Sequence, residues 1–167
     1  IHSIFEKQTE IALKNLDKIY NRVGDEIDII LVCATDFAGQ NSLLMSPDIF
    51  RNLYKPFYKE INNWIHENTT WKTMKHSCGN ISELISEFIE SGFDILNPIQ
   101  LSALPLSLHQ LKTKYGNQIT FWGNCIDSEL LIKDSPKIIK KEAEQNCKIL
   151  SRNGGYIFSL DNPPVNT

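Results

Sequence analysis

The stretch Lys75-His76-Ser77-Cys78-Gly79 places an imidazole and a thiol two residues apart at the end of an apolar run. In an extended strand, residues i and i+2 point to the same face, so His76 and Cys78 lie side by side. Zinc prefers thiolate and imidazole donors in a tetrahedron, and a catalytic zinc site keeps one position open for substrate. The competing reading is a buried cysteine that packs as a small apolar group beside a histidine bonded to backbone. Spacing alone does not choose between them, because two ligands do not make a site. Of the other cysteines, Cys125 follows a strand pattern and Cys33 lies near the end of another, facing the wall between elements. Cys147 falls in a helical pattern near Ile149 and Leu150, where it reads as packing.

The elements that must position these groups alternate along the chain. A helical pattern over 1–23 ends at Gly24. "IDIILVC" (27–33) is short, β-branched and without polar alternation, as expected of a strand buried on both faces. Ser46-Pro47-Asp48 opens a helix running to about His66, with a kink expected at Pro56. The unit then repeats: strand 71–77 and helix 80–91, strand 94–98 and helix 105–115, strand 119–124 and a helix from Ser135 to about 152, then strand 156–160. Strands alternating with helices imply βα units and a parallel sheet, in the order αβαβαβαβαβ. We expect 1–167 to be a single domain.

Five parallel strands suit an open doubly wound sheet or most of an eight-stranded barrel. The polar residues favour the barrel, because each strand ends in groups able to do chemistry, whereas open sheets gather such groups at one switch point. These are Asp36 and Gln40, His76 and Cys78, Asn97 and Gln100, Asn124 and Asp127, then Asp161. Asp36 can orient a substrate or a ligand histidine, or simply shape a turn. Gln40, Asn97 and Gln100 can hydrogen-bond a substrate or serve loop architecture. Asn124 and Asp127 line another strand end, where Asp127 can instead cap the next helix. Trp122 reads as core, and His2, His66 and His109 as solvated.

Composition bounds the partners. A net charge of −3 without a Lys/Arg run argues against nucleic acid, and no apolar stretch approaches a membrane span. Four scattered cysteines do not make a disulfide framework, which points to a reducing, cytoplasmic setting. Five strands leave two open edges, so self-association as a homodimer, or cover from the first helix, is expected.

The segments "TDFAGQNSLLMSPDIFRNLYKPFYKEI", "HSCGNISELISEFIESGFDILNPIQLSA", "LKTKYGNQITFWGNCID" and "GGYIF" resemble the second half of the uroporphyrinogen decarboxylase superfamily. The resemblance implies an (α/β)8 barrel of which this chain supplies the last five strands. Its "HSCG" is similar to the His-x-Cys pair of the corrinoid-linked, zinc-dependent methyltransferase branch rather than to the metal-free decarboxylases. The resemblance thus implies Zn²⁺ on His76 and Cys78, a corrinoid methyl donor on a partner protein, and a small thiol or tetrapyrrole substrate. In that branch a cysteine after the last strand is the third ligand. Asn162 stands there in this chain, which leaves Asp161 next to it, or Cys125, as the third donor.

Overall fold

The computed structural model describes residues 1–124, 126, 130–131 and 135–159. Five strands form one parallel sheet: β1 (Ile29–Cys33), β2 (Lys72–His76), β3 (Ile95–Asn97), β4 (Thr120–Asn124) and β5 (Tyr156–Ser159), in the spatial order of the sequence. A doubly wound sheet reverses direction at a switch point. Here the order never reverses, and right-handed crossovers then keep every helix on one face and every loop after a strand on one rim. The sheet is an arc of a barrel.

The helices are α1 (His2–Val23), α2 (Pro47–Ile49), α3 (Lys55–Asn68), α4 (Ile85–Glu90), α5 (Leu108–Tyr115) and α6 (Pro136–Leu150). The helix expected from Ser46 is not continuous: a π-helical turn at Phe50–Tyr54 separates α2 from α3. Pro56 has no N–H to give back to the preceding turn, and the wider turn upstream accommodates that loss. Ser107 caps α5 through a full capping box with Gln110. Ser135 stands at the start of α6 without a side-chain cap bond.

Most of the core lies between the sheet and its helices. Phe37, Phe50, Leu84, Phe88, Leu96 and Phe121 are fully buried in it, and the rings of Phe37 and Phe50 meet edge to face at 5.2 Å. A smaller cluster joins Leu16, Ile65 and Trp71 beneath α1. The opposite sheet face is less covered. Leu31 of β1 is 50% exposed and Phe158 of β5 is 56% exposed, so the expectation of a first strand buried on both faces does not hold. The reason is topological, since these are the two outermost strands of the arc. Among the described residues no helix is long and apolar enough to cross a membrane.

Candidate metal centre

The end of β2 carries His76, and its neighbours β1 and β3 deliver the groups that meet it. His76 pairs with Asn97 in the sheet register, and the side chains follow: His76 Nδ1 lies 2.7 Å from Asn97 Oδ1. Asn97 Nδ2 donates to the Trp122 carbonyl at 3.4 Å, which orients the amide so that its oxygen faces the imidazole. An oxygen acceptor there fixes the proton on Nδ1 and leaves the lone pair on Nε2. That lone pair faces the thiol, with Cys78 Sγ 3.6 Å from His76 Nε2.

Asp36 completes the group from the loop after β1. Its Oδ1 accepts the Cys78 N–H at 2.8 Å and lies 3.9 Å from His76 Nε2. One donor atom from each of Asp36, His76 and Cys78 falls within 4.8 Å of the other two. Around a tetrahedral zinc, nitrogen at about 2.0–2.1 Å and sulfur at about 2.3 Å lie roughly 3.6 Å apart. The His76–Cys78 spacing meets this as it stands, whereas the carboxylate oxygen, 3.9 Å from the imidazole nitrogen, must close on it by about half an ångström. The donor set of imidazole, thiol and carboxylate fits zinc.

Around these three the rim is closed by backbone. Gly79 has φ +84, and a Cβ there would sit 2.4 Å from the Gly39 carbonyl oxygen and 2.6 Å from that of Ala38. The glycine of "HSCG" is therefore required by close approach of two loops. Its N–H donates to Gln100 Oε1 at 2.8 Å, and Gln100 Nε2 donates to Gln40 Oε1 at 3.2 Å. Asp36, Gln40, His76, Cys78, Asn97 and Gln100 thus form one connected network. Asn124 ends β4, paired with Ser159 in the register. Cys125, Asp127 and Asp161 lie outside the described residues. His66 is not simply solvated, because its Nε2 lies 2.7 Å from Asp94 Oδ2.

Comparison with protein families matches the uroporphyrinogen decarboxylase model over residues 2–161, nearly the whole chain. The chain belongs to the uroporphyrinogen decarboxylase family. Its sheet is accordingly part of that family's barrel. A methyltransferase from Methanosarcina mazei is similar in structure, with a TM-score of 0.60 and 23% sequence identity over 93% of this chain and 43% of its own. The chain thus spans less than half the length of that relative. Comparison with curated proteins finds no match.

Sequence reasoning missed a second cluster in this family member, on the other face of β2. Lys75 is fully buried, with Nζ 2.7 Å from the Thr35 carbonyl, 2.6 Å from the His76 carbonyl and 3.7 Å from Cys33 Sγ. Its ammonium rests 4.7 Å from the centre of the Phe37 ring. Burial pushes the lysine down to about 8. Burial also pushes the Cys33 thiol up, but the nearby ammonium and bonds to Thr35 and Tyr58 outweigh this and hold it below the ordinary thiol range. The Tyr58 hydroxyl is 2.9 Å from the same sulfur, and burial followed by that sulfur's charge drives its pKa well up. The sequence did hold a signal. Trp71, Thr73, Lys75 and Ser77 alternate on the buried face, and a lysine at such a position must find partners.

Proposed function

We propose that Asp36, His76 and Cys78 hold Zn²⁺ and that the protein transfers a methyl group from a corrinoid, carried on a partner protein, to a small thiol. The observation that carries this reading is the 3.6 Å approach of Cys78 Sγ to His76 Nε2. Bound zinc supplies a Lewis acid that keeps a substrate thiol ionised at neutral pH. His76 offers Nε2 because Asn97 holds the proton on Nδ1. Cys78 offers a thiolate at the position fixed by the hydrogen bond from its backbone N–H to the Asp36 carboxylate. Asp36 adds a second negative charge, so the donor set neutralises the cation and the substrate sulfur stays electron-rich. Gln40 and Gln100, linked on the rim, are placed to hydrogen-bond the substrate, and Asn124 lies one strand further along. Cys125 or Asp161 remains a proposed further donor.

Decarboxylation of a tetrapyrrole, the reaction in the family's name, is the second reading. That reaction calls for cations around the substrate carboxylates. The rim described here instead gathers a carboxylate, a thiol, an imidazole and amides, while the Lys75 ammonium turns to the other face, which favours thiol chemistry. Turnover with a methyl-corrinoid donor and a thiol acceptor separates the two. We expect transfer in the wild type and the loss of both zinc and transfer in Cys78→Ala. Full activity in Cys78→Ala, or tetrapyrrole decarboxylation without methyl transfer, overturns the reading. Binding of corrinoid without turnover would assign a binding role instead.

A further inference from the structure

The ladder between β1 and β2 stops short of the metal centre. Its last pair is Cys33 with Lys75, after an irregularity between Leu31 and Cys33, so no strand pairing holds Asp36 against His76. Beyond that point the Asn80 N–H donates to the Gly39 carbonyl at 2.8 Å, and three side-chain contacts lie nearer the centre. Phe37 N–H donates to Ser77 Oγ at 3.0 Å and Cys78 N–H donates to Asp36 Oδ1 at 2.8 Å. The third contact is the Lys75 ammonium, which donates at once to the carbonyl of Thr35, one residue before Asp36, and to that of His76.

We propose that Lys75 is a positioning residue of the metal centre, pinning the Asp36 loop to the backbone of His76 and so setting the spacing of Asp36, His76 and Cys78. A buried ammonium costs stability relative to a methionine or leucine of similar volume, even with partners. Ring contacts with Phe37 at 4.7 Å and Phe88 at 5.7 Å offset only part of that cost. What an apolar side chain cannot do is join a carbonyl of the loop after β1 to that of the last residue of β2. Cys33, Thr35 and Tyr58 surround the ammonium from β1, the loop after it and α3, and none of them replaces that link. The functional consequence rests on the zinc reading above, whereas the geometric claim stands without metal.

Lys75→Met keeps the length and apolar stem and removes the three donors. Amide hydrogen exchange of the metal-free protein reads the link directly. The Cys78 N–H, which Asp36 accepts, should lose at least tenfold in protection, while the amides of β3 and β4 keep theirs. Zinc affinity, measured by competition with a chelator, should fall at least tenfold with it. Unchanged protection at Cys78, or a loss shared equally with β3 and β4, overturns the proposal. If neither protein binds zinc, the exchange result still decides the positioning role, and the zinc reading alone falls. Should Lys75→Met fail to fold, ¹⁵N-lysine spectra of the wild type decide the question. A slowly exchanging ammonium correlated with two carbonyl carbons supports the link, and one exchanging like the surface lysines overturns it.

Discussion

Two thiols stand near the ends of adjacent strands, and the difference between them separates the proposed metal centre from a structural cluster. Cys78 lies on the rim beside an imidazole nitrogen and a carboxylate, in reach of solvent. Cys33 lies on the helix side, 3.7 Å from an ammonium and 2.9 Å from a tyrosine hydroxyl. The two sulfurs sit in fields of opposite sign. At Cys33 a fixed positive charge already balances the sulfur, and a cation arriving there would meet Lys75. At Cys78 the neighbours are lone pairs and negative charge, an arrangement that calls for a cation. Being close to a charged partner therefore does not by itself mark a candidate metal ligand; the sign of that partner matters.

The largest effect on this comparison should come from Gly79→Ala, which drives a Cβ into the carbonyls of Ala38 and Gly39 at a positive φ. We expect a loss of about 3 kcal/mol or more in urea denaturation, together with zinc binding. A cost below about 1 kcal/mol would mean that the two rim loops are not locked together.

Next is a pH effect confined to the helix-side cluster. The Lys75 pKa falls from an ordinary 10.5 to about 8 on folding, so between those values the unfolded chain binds more protons. Stability should rise with pH across that window and stay flat below it on this residue's account. The gain is at most about 3 kcal/mol, from roughly 2.5 units at 1.36 kcal/mol each. Cys33, held low, adds in the same direction up to its ordinary 9.0. Tyr58, held high, favours the fold below its ordinary 10.0 and opposes the rise once the unfolded tyrosine begins to ionise. Stability curves of wild type and Lys75→Met check this, since the lysine contribution to the slope should vanish in the variant.

A smaller effect is expected on the rim. Asn97→Ala removes the acceptor that holds the His76 proton on Nδ1, and zinc affinity should drop about 10–100-fold. Unchanged affinity would mean that the tautomer is set by something else.

How far this contrast was legible depended on whether each feature was local. The 3.6-residue period, the short apolar and β-branched runs and the turn signals between them placed all five strands and the main helices, because those signals belong to single elements. The pairing of His76 with Cys78 followed from i, i+2 geometry within one segment. Asp36 was legible as a strand-end residue, but its bond to the Cys78 amide needs the β1–β2 register, which a bulge displaces. Lys75 was passed over because its carbonyl partners lie 40 residues and one residue away, and only the fold brings them together. Pro56 announced an irregular helix, but not that the wide turn would fall at Phe50–Tyr54.

The most direct test is the zinc content of three proteins: wild type, Cys78→Ala and Cys33→Ala. We expect about one zinc per chain in the wild type, retained in Cys33→Ala and lost in Cys78→Ala. Zinc that survives Cys78→Ala, or that leaves with Cys33→Ala instead, would contradict the assignment of the metal centre to the rim.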